Sequence, residues 1–323
     1  DNVSLHVDRG ETLCIVGESG CGKSLTSLGI MDLLPKKARR KLTALDLDGT
    51  SILNYSEDQM SDIRGNKIGM IFQEPMTSLN PSFTVLSQMV ETLRRHRNIV
   101  GRDASKLAER MLERVGITPA GQRLNQYPHQ LSGGLRQRVM IAMTLLCEPD
   151  LIIADEPTTA LDVTIQAQIL LLLKKLQSEF GMGLMLITHD MGVVANVADR
   201  VAVMYAGQIV EEGTVFQIFD NPAHPYTRGL MRCIPVPGKI KQGEPLGTIP
   251  GMVPSLIGDI KECRFAGRWN DVQDAHFNSK VYLRPVKDRT RSFFVDDADD
   301  HIIHFCCESC IKKSEVIVNR GTK

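Results

Sequence analysis

The stretch GESGCGKS, Gly17–Ser24, matches the pattern G-x-x-x-x-G-K-S in full. An apolar strand pattern, Glu11–Val16, precedes it and a helical pattern, Ser24–Leu34, follows it, which is the context that a phosphate-binding loop requires. Glycines allow backbone N–H groups to turn toward phosphate oxygens, and the helix beyond adds the positive end of its dipole. The stretch therefore predicts an α/β fold that binds the phosphates of a nucleotide.

Two side chains of this phosphate loop, Gly17–Ser24, have expected roles of their own. Lys23 would reach the β- and γ-phosphates, and the hydroxyl of Ser24 would bind Mg²⁺. The other residues would contribute mainly backbone donors. The predicted nucleotide-binding residues here are Gly17, Glu18, Ser19, Gly20, Cys21, Gly22, Lys23, Ser24 and Leu25.

An apolar run that ends in two acids, LIIADE at Leu151–Glu156, supplies a candidate metal ligand and a candidate base. In P-loop enzymes an Asp at the end of such a strand holds Mg²⁺, directly or through water, which makes Asp155 the candidate. Glu156 lies one residue further, where open α/β sheets bind their ligands, and could orient or deprotonate a water. Two solvated acids at a strand end are the alternative, and the presence of the loop favours the catalytic interpretation.

The composition is that of a globular protein without a membrane span. The chain has 323 residues, 42% of them hydrophobic, which predicts one large α/β domain and a smaller one. Its 38 basic and 38 acidic residues cancel, which removes the electrostatic argument for nucleic acid as the main partner. No apolar run approaches the ~18 residues of a membrane helix, and the first residues lack the features of a signal peptide. Five of the eight cysteines are scattered, which favours a reducing compartment and a protein that is not exported.

Strand and helix patterns alternate along the rest of the chain. Val3–Val7 alternates like a half-buried strand, and Gly49 marks a hairpin. Apolar runs typical of buried parallel strands are Ile68–Phe72, Leu151–Ala154, Leu184–Ile187 and Val201–Met204. Helical patterns cover Val85–Arg97, Ala104–Val115, Ser132–Cys147, Thr164–Phe180 and Met191–Ala198.

These motifs, together with four others, resemble those of ABC-type ATPases. LSGGLRQR, Leu131–Arg138, resembles the family's signature, with Leu135 where many members have Gln. The resemblance assigns Gln73 to the Q-loop, ALD at Ala160–Asp162 to the D-loop, and His189 to the switch histidine. Because the motifs also occur in the family's order, a functional role for each is favoured over a structural one.

The resemblance implies a composite active site that binds ATP and Mg²⁺. In the family, the start of the signature helix, here Ser132, Gly133 and Gly134, faces the γ-phosphate bound by a second ABC ATPase subunit, identical or paralogous. Asp162 joins this nucleotide-binding set, and His189 would sense the γ-phosphate. The implied catalytic residues are Glu156, His189 and Gln73, and the implied Mg²⁺ residues are Ser24, Gln73 and Asp155.

Longer stretches resemble the ATP-binding subunits of dipeptide, oligopeptide and nickel importers. They are IFQEPMTSLNP (Ile71–Pro81), YPHQ (Tyr127–Gln130), HPYT (His224–Thr227) and IPGMVPSL (Ile249–Leu256). The resemblance implies an ATPase domain over residues 1–221, with a helical subdomain at about 76–147, and a small loop-rich C-terminal extension over 222–323.

The same resemblance implies the partners and the cellular location. The expected role is ATP hydrolysis that drives import of peptides or nickel, by a peripheral subunit at the cytoplasmic face of the cell (inner) membrane. The expected partners are the second ATPase subunit, two transmembrane permease subunits and, indirectly, an extracytoplasmic solute-binding protein. Nucleic acid is not expected.

The extension departs from the pattern of this subfamily, in which four cysteines often hold an iron–sulfur cluster. Cys263 fits the first position, but Trp269 and His276 stand where the next two are expected, and the tail from about residue 278 is atypical. An iron–sulfur or Zn²⁺ site is weighed against an incidental group of thiols. The candidate ligands are Cys263, Cys306, Cys307 and Cys310.

Two departures concern the nucleotide site. Family members usually stack adenine on an aromatic residue well upstream of the loop, and the sequence begins too close to Gly17 to include that segment. Leu25 replaces the Thr that often follows the Mg²⁺-binding serine. We therefore expect either a longer parent chain or weaker adenine binding with the phosphate chemistry retained.

Two alternatives remain open from the sequence. A soluble ABC ATPase that acts on nucleic acid or ribosomes would commonly have two fused cassettes or a long coiled-coil insertion, and this chain has one cassette and no heptad run. A truncated, inactive subunit would account for the unusual beginning and end.

Overall fold

The computed structural model describes residues 2–73, 78–159, 161–234, 247–254, 256, 264–265 and 268, together with the backbone of four strands between residues 282 and 318. The chain forms two compact units. The first contains residues 1–6, 13–23 and 188–323, and the second contains residues 7–12 and 24–187. Within the described ranges, no helix is both long enough and apolar enough to span a membrane.

The elements are numbered here in chain order. The described strands are β1 (Thr12–Val16), β2 (Asp46–Leu47), β3 (Thr50–Ser51), β4 (Ile68–Ile71), β5 (Leu151–Asp155), β6 (Gly183–Ile187), β7 (Arg200–Tyr205), β8 (Gln208–Thr214), β9 (Tyr282–Asp288), β10 (Arg291–Asp296), β11 (Ile302–Phe305) and β12 (Ile317–Val318). The described helices are α1 (Lys23–Ile30), α2 (Glu57–Ile63), α3 (Val85–Arg97), α4 (Gly101–Arg114), α5 (Ala120–Leu124), α6 (Gly133–Leu145), α7 (Val163–Phe180), α8 (Met191–Val197), α9 (Val215–Asp220) and α10 (Pro225–Arg232).

Three parallel strands, in the order β6, β5, β4, form the sheet core of the second unit. Their side chains are almost all buried, which explains why each reads as an unbroken apolar run rather than an alternating one. Ile71 pairs with Ala154, and Asp155 pairs with Ile187, so the carboxyl ends of the strands lie at one edge. The residues that follow β4 and β5 therefore meet at that edge.

Helices α3–α6 follow β4 in the same unit. The side chain of Thr84 caps α3 by accepting a hydrogen bond from the amide of Ser87, and Asn98 ends the helix in a left-handed conformation with φ 55°. Val85, Met89 and Leu93 are fully buried at four-residue spacing, so this helix packs its apolar face inward.

In the first unit, β1 pairs with β7 in parallel, and β7 pairs with β8 in an antiparallel manner. The antiparallel pairing continues from β8 through β11 and β10 to β9, with β12 parallel to β9. Burial of β1, β7 and β8 supplies the core of this unit, with every residue of β1 buried.

Most of the predicted elements are confirmed, and two expectations require correction. The helix over Val85–Arg97 has the predicted bounds, and the hairpin at Gly49 is present as β2 and β3. The prediction of a strand over Val3–Val7 is wrong, because these residues form no strand in the structure. An alternating pattern makes a strand only when its backbone pairs with a neighbouring strand. The tail from about residue 278, part of an extension that was expected to be loop-rich, contains four described strands.

Candidate nucleotide-binding site

The phosphate loop joins β1 to α1, as the sequence predicts. Lys23, the first residue of α1, is buried, and its ammonium group donates hydrogen bonds to the carbonyl of Gly17 over 2.8 Å and to that of Glu18 over 3.0 Å. The positive charge is thus held inside the curve of the loop by backbone carbonyls. An ammonium group placed in this way is a point charge suited to phosphate oxygens.

Gly17 occupies a position that no other residue could take without rearrangement. Its φ is 151°, and a Cβ there would lie 2.1 Å from the carbonyl oxygen of Met204 at the end of the neighbouring strand β7. Gly20 and Gly22 also have positive φ, 80° and 106°. The loop's close approach to β7 therefore depends on the first glycine of the motif.

Two oxygen ligands meet in the second unit. The hydroxyl of Ser24 donates a hydrogen bond to Oδ1 of Asp155 over 3.0 Å, and the Asp155 side chain is buried at the end of β5. A hydroxyl and a carboxylate are the hard oxygen donors that Mg²⁺ prefers, so these residues fit such a cation. Leu25, the next residue, is 55% exposed on α1.

Glu156 follows Asp155 in a strained backbone conformation, with φ 44°. Its amide donates to the carbonyl of Ile187, which anchors it to the end of β6. One carboxylate oxygen, Oε2, accepts from the amide of Gln73 over 3.1 Å and from the hydroxyl of Thr159 over 2.9 Å. The predicted base and the predicted Q-loop residue are thus brought together, and Thr159 is an additional contact that sequence reasoning did not identify.

The signature segment, Leu131–Arg138, forms the start of α6. Ser132 is its exposed N-cap, and its hydroxyl accepts a hydrogen bond from the amide of Leu135 over 3.4 Å. A Cβ on Gly134 would lie 3.1 Å from Ile165 in the first turn of α7, which Asp162 caps. The signature helix therefore begins at an exposed serine, and its second glycine lies close to Ile165 at the start of α7.

Comparisons with known proteins agree with this geometry. A family model described as "ABC transporter" matches residues 1–159, and one described as "Oligopeptide/dipeptide transporter, C-terminal region" matches residues 210–275. The oligopeptide transport ATP-binding protein OppD of Bacillus subtilis is 51% identical over 287 residues, which are 88% of this chain and 80% of that protein. The chain belongs to the ABC transporter family of ATP-binding proteins.

Further similarities place this ABC ATPase among known relatives. The dipeptide transport ATP-binding protein DppD of Bacillus subtilis is 52% identical over 267 residues, 82% of this chain and 79% of that protein. The solved dimeric structure of the ATP-binding cassette MJ0796, bound to ADP and Pi, is 31% identical with a TM-score of 0.58. It covers 66% of this chain and 89% of its own. The predicted α/β cassette fold and the predicted family are confirmed.

His189, the proposed switch histidine of this ABC ATPase, lies on the exposed turn between β6 and α8. Asp190 caps α8 through hydrogen bonds from the amides of Gly192 and Val193. The carboxylate of Asp190, the residue next to His189, thus fixes the turn by accepting hydrogen bonds from two backbone amides.

Several predicted positions lie outside the described residues. They include Ala160 of the D-loop and all four candidate iron–sulfur or zinc ligands, Cys263, Cys306, Cys307 and Cys310. Among the residues that the structure does describe, no group of three or more His, Cys, Asp or Glu side chains is placed to hold a metal ion.

The first unit contains two contacts to the loop that the sequence did not suggest. The hydroxyl of Tyr226 accepts a hydrogen bond from the amide of Glu18 over 2.8 Å, and Arg268 forms an ion pair with the Glu18 carboxylate at 2.7 Å. HPYT at His224–Thr227 was identified only as a subfamily marker. A tyrosine hydroxyl needs a partner once it is buried, but the burial of Tyr226 is visible only in the folded chain.

Proposed function

We propose that this chain is the ATP-hydrolysing subunit of a peptide importer, acting through two membrane permease subunits. The observation that carries the proposal is the placement of Glu156, whose carboxylate is held by Gln73 and Thr159 beside the buried Asp155. Similarity to transport ATP-binding proteins named for oligopeptides and dipeptides supports peptide over nickel as the cargo class.

In this proposal the phosphates of ATP bind along the loop, where Lys23 and the backbone amides supply positive charge. Mg²⁺, when bound with ATP, would neutralise phosphate charge, and Ser24 and Asp155 would hold it. Glu156 orients the attacking water and accepts its proton, because its carboxylate is already directed by two donors. Gln73 contacts that same carboxylate, so a movement of the Q-loop would change the position of the base.

The second half of the site comes from a second ATPase subunit. Ser132 at the start of α6 is exposed, and Gly133 and Gly134 after it are partly exposed, as a group that acts on another molecule must be. In the proposed dimer they contact the γ-phosphate held by the opposite loop, and His189 senses it. Two ATP molecules then join the subunits, and hydrolysis releases them, which supplies the free energy for transport. The subunit would lie peripherally at the cytoplasmic membrane face, and an extracytoplasmic solute-binding protein would deliver the peptide.

The test is reconstitution of the chain with its two permeases and a solute-binding protein in lipid vesicles. Uptake of a labelled oligopeptide should require ATP and should stop with Lys23→Ala, which removes the charge inside the loop. A matched control is Lys174→Ala, because the ammonium group of Lys174 donates to the hydroxyl of Thr12 at the start of β1. ATP hydrolysis that is stimulated by RNA or ribosomes and not by the permeases would contradict the proposal.

A further inference from the structure

Glu18, the second residue of the phosphate loop, is held at three different atoms. Its amide donates to Tyr226, its carbonyl accepts from the ammonium group of Lys23, and its carboxylate pairs with Arg268. Tyr226 and Arg268 both fall within residues 210–275, which match the C-terminal region of oligopeptide and dipeptide transporters. A loop residue is therefore fixed by the extension as well as by the cassette's own lysine.

The contact with Arg268 has the geometry of a strong ion pair. Nη1 donates to one Glu18 carboxylate oxygen over 2.7 Å, and Nη2 donates to the other over 3.0 Å. The Arg268 side chain is 6% exposed and that of Glu18 is 30% exposed, so solvent screens the pair only weakly. Bidentate pairing fixes direction as well as distance, which a single point charge would not do.

The remaining donors of Arg268 hold it within the extension. Nε donates to the carbonyl of Pro250 over 2.6 Å, and Nη2 also reaches the carbonyls of Ile249 and Gly251. Because the guanidinium contacts both the loop and a backbone segment of the extension, a shift of that segment would be transmitted to Glu18.

An aromatic cluster anchors the two extension residues in the first unit. The ring of Phe265 packs against Tyr205 and Tyr226 at centroid distances of 5.2 and 5.6 Å, and all three side chains are almost fully buried. The guanidinium of Arg268 lies 5.8 Å from the ring of Tyr205. Burial raises the pKa of the Tyr226 hydroxyl, so it stays a neutral phenol beside the loop.

We infer that Arg268 is a positioning residue for ATP, through which the C-terminal extension sets the conformation and the charge of the phosphate loop. An unpaired carboxylate on the loop would repel the phosphates of ATP, and Arg268 neutralises it. The inference rests on the proposed function, because it assumes that this loop binds ATP. It assigns the extension a role in nucleotide affinity.

The charge on Glu18 predicts a specific ranking of variants in their affinity for Mg-ATP. Arg268→Ala leaves Glu18 without its partner and should weaken binding of Mg-ATP about tenfold. Glu18→Ala should weaken binding less than Arg268→Ala does, because it removes the repulsive carboxylate and leaves the positive charge of Arg268 beside the loop. The double variant should bind more tightly than Arg268→Ala alone, since removing both members of a pair costs less than stranding one.

The experiment measures Mg-ATP binding by calorimetry on the full chain, and KM and kcat in the reconstituted transporter. For Arg268→Ala, KM should rise about tenfold with kcat little changed. Arg64→Ala is the matched control, because Arg64 also pairs in a bidentate manner, with Glu57, and donates to the carbonyls of Met31 and Asp32. Its loss should lower the melting temperature without changing affinity.

Two results would overturn the inference. One is an Arg268→Ala protein that binds Mg-ATP within twofold of the parent. The other is a double variant as weak as Arg268→Ala, which would mean that Arg268 acts through folding rather than through the charge on Glu18. If the parent chain itself failed to bind Mg-ATP, the proposed function would fail instead, so the two failures are distinguishable.

Discussion

The hydroxyl of Ser24 donates a hydrogen bond to the carboxylate of Asp155 over 3.0 Å, although the two residues lie 131 positions apart in the chain. Ser24 lies in the first turn of helix α1, and Asp155 ends strand β5. The pairing places a hydroxyl and a buried carboxylate where both can face a cation. It also ties Ser24 to the strand that immediately precedes Glu156.

Asp155→Asn should raise the Mg²⁺ concentration needed for half-maximal ATP hydrolysis by at least about tenfold, because the amide lacks the charge that holds the cation. A titration of ATPase activity with Mg²⁺ measures this shift. Asp150→Asn is the control, since Asp150 precedes β5 and pairs with Arg9 and Lys67. An unchanged Mg²⁺ requirement in Asp155→Asn would remove Asp155 from the metal site.

Glu156→Gln should bind ATP with parental affinity and lower kcat by about 10²–10⁴-fold, because the amide cannot accept a proton from water. The near-identical shape keeps the fold, and single-turnover hydrolysis by the assembled transporter reads out the chemical step. Near-normal turnover would refute the assignment of the base.

Ser132→Arg should abolish turnover that depends on the second subunit while leaving nucleotide binding at the loop intact. The reason is steric, since a long side chain at the exposed N-cap of α6 would block the approach of another subunit. Ser178→Arg, on the exposed face of α7, is the control. Loss of ATP binding in the isolated Ser132→Arg chain would count against the composite site.

Gly17→Ala should abolish ATP binding and cost about 1–3 kcal/mol of folding free energy, because the new methyl group would meet the carbonyl of Met204. Gly29→Ala is the control, because a Cβ there meets nothing within 4 Å and Ala favours the helix. Thermal unfolding and nucleotide binding should separate the two variants clearly.

Acidification should destabilise the chain in part through His96. Burial lowers the pKa of this imidazole below its ordinary value of 6.5, and the positive charge of Arg95 lowers it further, against an opposing effect of Asp62. The unfolded chain then binds the proton more readily, so stability falls as pH drops through 6.5. Because His96 is only partly buried, solvent weakens the effect. His96→Gln should flatten this part of the pH dependence of the melting temperature, and an unchanged slope would exclude the histidine.

Local chemistry explains why some elements could be predicted from the sequence. Helix α3 has its predicted bounds because Thr84, just before it, is a typical N-cap residue and Asn98, just after it, is a typical C-cap residue. The buried strands β4–β6 were visible because a parallel sheet covered on both faces demands continuous apolar runs. Val3–Val7 had the alternation of a strand, but the pattern carries no information about a pairing partner.

Contacts over long sequence separations were not predictable in the same way. The pair of Arg268 and Glu18 spans 250 positions, and nothing in the local pattern of either residue points to the other. Thr159 was likewise missed as a partner of Glu156, because the sequence does not show which way a threonine hydroxyl will point. The motif residues were identified one by one, while the side chains that hold them depend on the folded chain.

The separation of Glu18 from Arg268 also has a consequence for biosynthesis. After Glu18 is made, a ribosome must translate 250 further residues before the guanidinium that neutralises its carboxylate exists. A nascent chain that stops before Phe265 contains the phosphate loop, the acidic residues after β5 and the signature. It lacks Arg268 and also Phe265, whose ring packs against Tyr205 and Tyr226. The phosphate loop can therefore reach its paired state only after this part of the extension has been made.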